Sequence, residues 1–327
     1  MCSLSVFADK DKALEEFETK AYELRMELVH NHTFDLENIP KADSLYRESV
    51  ERGSVIGKLY ALQIKYYAVA NSGNDSLFNV TIDEYIQLAE EMDYFEEYFD
   101  ATSTKIQYEM GNGDYSRCMF MAHDMLKMAE KAHSNLGLYE SNLLMGQIFK
   151  YRSSFNSAMK YFKNALKYIE KDDSIPHFTL YREMAECYGG NMQYDKALQY
   201  AKLANTWACF DIYRLYGEWT YLNELFQQKD IAEFRKALAV SVLNDEQQYK
   251  SLPMDMQISL DVMKLVNNGN YAAARAKVME HETESRQLGL LVLIAQYEGN
   301  TSDALRYLQR LSFVNDSIEA ELLDSEL

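Results

Sequence analysis

Side chains able to move protons, hold metals or attack carbonyls are the first to ask about. The six histidines, His30, His32, His123, His133, His177 and His281, include no HExxH or comparable spacing that would bring two imidazoles to one metal. The four cysteines, Cys2, Cys118, Cys187 and Cys209, show no CxxC pairing, so neither a zinc site nor a disulfide framework can be read from them. Cys118 and Cys187 fall on helix faces expected to point inward, where a thiol packs as a small hydrophobe. Glu183 and Glu186 lie one helical turn apart and could share a proton. The same spacing is the ordinary pattern of a solvated or partner-facing helix side. Met121, Met125 and Met128 make a one-sided stripe near His123 and His133. Soft thioethers of this kind could hold a cuprous ion, and they also fill cores. No glycine-rich phosphate loop follows a strand, and no serine elbow or Cys/His arrangement is present. The expectation is a binding module with no catalytic residues, no metal and no cofactor.

The elements that would position such residues are set by the stretch Gly137 to Asn205. Gly146, Phe149, Ala158, Phe162 and Ala165 recur at offsets of 3, 9, 4 and 3, and Ala185, Tyr188, Ala197, Ala201 and Ala204 repeat the same offsets. An offset of 3 or 4 stays on one helical face, and the offset of 9 carries the chain round a turn into a second helix. Two antiparallel helices therefore meet through small residues. Neither can bury its apolar face alone, so the pair must stack on another pair, which is the logic of a solenoid.

These residues resemble the tetratricopeptide repeat family, whose pattern runs from a bulky residue through leucine-glycine and tyrosine to a Gly-Asp-Tyr-like turn and then alanines. The turn reads Gly113-Asp114-Tyr115 in one unit, Met192-Gln193-Tyr194 in another and Gly269-Asn270-Tyr271 in a third. The match is strong over roughly 95–205 and weaker on both sides. Equivalent turn positions Gly73, Gly113, Ser153 and Met192 are spaced 40, 40 and 39 residues apart, which departs from the family's 34, and the proline that usually closes a unit is mostly missing, since the chain has only Pro40, Pro176 and Pro253. The fold expected is all-α, an α-solenoid of about eight antiparallel helix pairs forming a tetratricopeptide-like superhelix.

Composition narrows the partners. The formal charge of −18 disfavours nucleic acid and anionic membrane surfaces, whose recognition rests on cationic contacts. A protein or peptide ligand is expected to be basic or apolar before acidic. The 25 tyrosines either fill the large packing positions with their hydroxyls reaching the surface, or line a concave face. No stretch approaches the 18 apolar residues of a membrane span, so no membrane contact is expected of this segment itself.

Taken in order, residues 1–8 (MCSLSVFA) carry small residues at Val6 and Ala8 ahead of Asp9, the pattern of a signal-peptide cleavage site without its positive and apolar regions. They read as the remnant of an export signal or as an ordinary terminus. Degenerate N-terminal helical repeats are expected over 9–94, with a loop from His32 to Pro40, and well-formed repeats over 95–209. Irregular C-terminal repeats follow over 210–313, including a loop from Asn244 to Pro253, with Trp207 and Trp219 marking packing between units. Residues 314–327 read as the start of a connecting helix capped by Asp316 or Ser317, whose Ile318, Leu322 and Leu323 could continue a heptad and support a homodimer. Asn315-Asp316-Ser317-Ile318 resembles the exit from periplasmic repeat domains in membrane-bound sensor kinases and regulators of gut Gram-negative anaerobes, where a signalling helix, a membrane helix and an output module follow. Asp-Ser at Asp43, Asp75, Asp173 and Asp316 resembles a short O-glycosylation acceptor of exported proteins in such bacteria, and Asp-Ser also starts helices well.

In the family the first helix of each pair lines the concave surface. By register this implies a partner-binding groove of Ser103 and Gln107, then Leu143, Gln147 and Lys150, then Arg182 and Glu186. The lysine-and-asparagine clamp for acidic tails is not reproduced. The function expected is non-catalytic protein or peptide binding, as the periplasmic sensor part of a membrane-bound signalling or transcription regulator. The rivals are a free-standing cytoplasmic scaffold and a quorum-sensor-like regulator, and the latter lacks a basic recognition helix over 9–52.

Overall fold

The computed structural model describes residues 2–30, 36–70, 72, 74–111, 113–281 and 284–325, with side chains for all of these except residues 2–11, 29–30 and 315–325. Every regular element among them is helical. None of the described helices is long and apolar enough to cross a membrane. In chain order the helices are α1 (Cys2–Arg25), α2 (Ile39–Arg52), α3 (Val55–Ala70), α4 (Asp75–Glu91), α5 (Phe95–Gly111), α6 (Tyr115–Ala132), α7 (Asn135–Tyr151) and α8 (Phe155–Ala165), taken two by two as the repeat expects. Then come α9 (Ser174–Gly190) with α10 (Tyr194–Thr206) and α11 (Asp211–Gln228) with α12 (Ile231–Val240). A short α13 (Glu246–Lys250) precedes α14 (Met254–Asn267) with α15 (Tyr271–Val278), and α16 (Glu284–Glu298) with α17 (Thr301–Ser325) closes the series. This is the α-solenoid that the periodicity predicts.

The chain divides into two compact units, residues 1–114 with 130–137, and residues 115–129 with 138–327. In the first, α3 packs against α1, α2 and α4. Its residues Leu59, Leu62, Tyr66 and Val69 join Phe78, Ile82, Tyr85 and Ala101 in one buried cluster. Within the second, each first helix approaches the next one directly, α9 to α11, α11 to α14 and α14 to α16. First helices therefore line one face there.

Tight turns make this stacking possible. Gly53, Asp93, Ser153, Met192, Lys229, Gly269 and Gly299 all adopt left-handed φ between 57° and 80°. Each donates its amide N–H to the carbonyl three residues back while the next residue donates to the one five back, as in Ser153 to Lys150 (2.8 Å) and Ser154 to Phe149 (2.9 Å). Such a turn ends one helix with its last carbonyls satisfied and starts the next within two residues. Asn74, Asp230, Asn270 and Asn300 then accept a first-turn N–H into their side chains, capping the following helix.

Small residues meet large ones both within a pair and between successive pairs. A Cβ added at Gly146 would lie 2.3 Å from the Phe162 ring, and one at Gly190 would lie 2.3 Å from Phe155. Ala158, Ala165, Ala185, Ala197, Ala201 and Ala204 are fully buried, as are Cys118, Cys187 and Met125, and Met119 is almost so. Trp207 stacks on His177 at 4.2 Å, and the Trp219 indole donates to the Met256 carbonyl at 2.9 Å, tying α11 to α14.

Some local expectations are corrected. Of the expected loop 32–40, residues 31–35 lie outside the described ones, while Leu36–Asn38 form a 3-10 turn and Ile39 already begins α2, with Pro40 in a first turn that needs no N–H there. The expected loop 244–253 holds α13, whose start is capped by Asp245 accepting from Gln247 and Gln248. The backbone of α17 runs unbroken through Asp316 and Ser317, so neither caps a separate helix. Asp75 and Asp173 do stand at helix starts, whereas Asp43 sits inside α2 and pairs with Lys65 at 2.7 Å. The side chains of residues 1–8, read as an export-signal remnant, lie outside the described ones, as do Gly73 and the heptad residues Ile318, Leu322 and Leu323.

Candidate functional site

In the second unit four of the expected groove residues converge. Gln147 and Lys150, one turn apart on α7, face Arg182, Glu183 and Glu186 on α9. The Lys150 ammonium lies 2.6 Å from Glu183 Oε2 and 2.5 Å from Glu186 Oε2. Arg182 holds Glu183 Oε1 at 2.9 Å and Glu186 Oε1 at 2.7 Å. Gln147 Nε2 donates to Glu183 Oε1 at 3.2 Å. The helical repeat explains the meeting: residues three or four apart share a face, so two adjacent helices offer two cations and two carboxylates to one another. Glu183, expected only as the partner of Glu186, is the most deeply buried, with 2% of its side chain exposed against 10% for Lys150 and 16% for Arg182.

Electrostatics lock these charges in. Burial opposes the positive charge on Lys150, but Glu183 and Glu186 outweigh it and hold the ammonium above the usual lysine range. Burial likewise opposes Arg182, and Glu186 and Glu183 reverse the balance. For Glu186 burial favours the acid, yet Lys150 and Arg182 dominate and bring its pKa down to about 2. The idea of a proton shared between Glu183 and Glu186 is thereby set aside: cations separate the two carboxylates, and Glu186 stays ionised. Behind this network, Glu224 on α11 is fully buried against Gly189, and its Oε2 has no hydrogen-bond partner. Burial, reinforced by Glu186, pushes its carboxyl well above the normal range.

The same face extends further. Arg286 on α16 pairs with Asp255 on α14, and its guanidinium lies 5.6 Å from the Tyr151 ring on α7. Leu143 is 4% exposed and belongs to the core. In the first unit Gln107 is exposed, while Ser103 is 5% exposed. Sequence reasoning passed over three other residues of the first unit that the fold links across successive first helices. Arg25, at the end of α1, donates from Nε to Gln63 Oε1 on α3, and Gln63 Nε2 donates to Asp100 Oδ2 on α5 at 3.3 Å. Their separations of 38 and 37 residues sit near the repeat length, which is the signal that could have found them. Two shallow hollows lie off these faces, of about 340 Å³ beside Asp195, Leu198 and Lys202, and of about 450 Å³ between Tyr221, Leu222, Lys236 and Val240.

Among the described residues no three His, Cys, Asp or Glu side chains gather as a metal site would require. Comparison with models of known protein families gives no match to this chain, and comparison with curated proteins gives none.

Proposed function

We propose that this chain is a ligand-binding helical repeat domain, of tetratricopeptide type, serving as the periplasmic sensor part of a membrane-bound signalling regulator. One observation carries the binding half of this reading: Gln147, Lys150, Arg182 and Glu186, the residues that the repeat register assigns to a groove, come together from successive first helices on one face. Polar side chains concentrated on that face, in a stack otherwise joined by alanine and aromatic residues, are what a ligand would read. The sensor half rests on the sequence patterns around Val6–Ala8 and Asn315–Ile318. A ligand that favours one curvature of the stack would shift its population and pass the change to the helix beyond the last repeat.

Fractionation of the source cells and weighing of the intact gene product tests this reading. The expected result is a membrane-bound species well above 38 kDa. A soluble cytoplasmic species of that mass would overturn the sensor reading and leave the scaffold. A deletion of residues 314–327 that preserves signalling would also count against it.

A further inference from the structure

We propose that the first unit carries a binding site for a free α-amino acid, built from Arg25, Gln63 and Asp100 with Tyr22 and Tyr60 as its walls. The inference rests on the ligand-binding reading above and names the ligand class.

Two opposite charges, Arg25 and Asp100, act on each other without direct contact. No ion pair joins Arg25 to Asp100 among the described residues. Gln63 stands between them instead, 2% exposed, with its amide oxygen taken by Arg25 and its amide N–H turned toward Asp100. Both polar ends of this buried glutamine are committed, so it acts as a fixed spacer. Two hydrogen bonds of about 3 Å either side of an amide about 2.3 Å wide hold the charges on the order of 7 Å apart. That gap accepts an ammonium and a carboxylate borne on one carbon, each reaching its partner by a charge-assisted bond. A peptide's two ends are too far apart for it.

The bonding capacity left over points the same way. Arg25 spends Nε on Gln63 and turns Nη1 toward the Met26 sulfur at 3.7 Å, and Nη2 has no hydrogen-bond partner among the described residues. Asp100 reaches solvent, yet burial pushes its carboxyl up, and among the described residues its side chain bonds through Oδ2 alone. A guanidinium fork is therefore open to a carboxylate, and a carboxylate oxygen is open to an ammonium. The Arg25 guanidinium lies 6.0 Å from the Tyr22 ring and 5.5 Å from the Tyr60 ring, which fixes it by cation–π attraction and gives the ligand's side chain an aromatic surface to lie on. Tyr22 is 44% exposed, so the site is open on that side. Arg25 and Asp100 carry opposite charges, with Glu97 acting on Asp100 as well, so a ligand with a single charge would pair one of them and leave the other unmet. A zwitterion satisfies both.

The experiment uses the whole chain. Each standard L-α-amino acid is added at roughly 10 mM in a thermal-shift screen, and those that raise the melting temperature are titrated calorimetrically beside their N-acetyl and amide forms. The expected result is that at least one amino acid binds, and that blocking either end weakens it by about tenfold or more. Arg25→Gln and Asp100→Asn should each cause a similar loss while their circular dichroism and melting temperature stay near wild type. Should Arg25→Gln unfold, the blocked-end probes still decide. No binding by any amino acid would overturn the proposal. Equal binding of blocked forms, or full affinity in Asp100→Asn, would also overturn it while leaving a ligand elsewhere and the sensor reading intact. A cytoplasmic location with zwitterion-selective binding would fail the sensor reading and keep this site.

Discussion

Replacing Gly146 by alanine sets two opposite effects against each other, and the structure decides between them. Gly146 lies inside α7, where alanine is the better helix former by about 0.5–1 kcal/mol. Packing argues the other way. The added Cβ would lie 2.3, 2.5 and 2.9 Å from three atoms of the Phe162 ring, against an optimum of about 3.5–4.0 Å between carbons. Phe162 is fully buried and cannot swing into solvent. Overpacking of this kind costs about 1–3 kcal/mol, so Gly146→Ala should lose about 1–2 kcal/mol net. Gly289 provides the control, because it also lies within a helix and nothing stands within 4 Å of its Cβ position. Gly289→Ala should gain about 0.5–1 kcal/mol. Shrinking Phe162 to leucine should relieve the clash, so the double-mutant cycle should give a favourable coupling of about 1 kcal/mol or more. Urea denaturation followed by far-ultraviolet circular dichroism measures all four proteins. Equal stability gains in Gly146→Ala and Gly289→Ala, or zero coupling, would refute the claim that the pair is joined through this contact.

Two further predictions follow from the buried charges. Glu224 has its carboxyl raised in the fold, so the stability it allows is complete below its unfolded pKa and falls as pH climbs toward the folded one, at about 1.4 kcal/mol per pH unit; Glu224→Gln should remove that slope, and identical urea midpoints against pH for the two proteins would contradict it. Lys150→Met leaves Glu183 and Glu186 facing each other with Arg182 alone, which should cost about 3 kcal/mol, and adding Glu183→Gln should restore much of it; a change below about 0.5 kcal/mol in urea unfolding would mean that water already screens the network.

How much of this was legible in the sequence depends on which residues signalled a turn. Glycine at 113 and 269 announces a left-handed position, since only glycine adopts it without strain. Asp93, His133, Ser153, Met192 and Lys229 occupy the same conformation with a side chain, at a cost of about 1 kcal/mol each, and give no compositional cue. With them in place, Asp93, Gly113, His133 and Ser153 mark helix ends 20 residues apart. Side-chain reach was harder to read. Register placed Gln147, Lys150, Arg182 and Glu186 on one face, but helical periodicity carries no information on whether charges there pair with each other or wait for a ligand. Leu143 was assigned to the groove by the same register and packs in the core, because it lies four residues before Gln147, a step that carries it about 40° round the helix, across the boundary of the face.

The two units treat polar contacts between stacked helices differently. In the second unit every charge at the α7–α9 contact meets an opposite charge within 2.9 Å. Sliding α9 by one residue would turn these side chains through 100° and strand them, so the network specifies register in a stack whose alanine contacts would tolerate a slip. The first unit reaches across α1, α3 and α5 with one residue per helix, and the central residue is an uncharged glutamine. An amide can align its neighbours without pairing them directly: burial pushes the Asp100 carboxyl up and Arg25 opposes this across the glutamine. A direct ion pair at that position would have stiffened the stack equally well. Its replacement by a glutamine that holds the charges apart is what a binding surface requires.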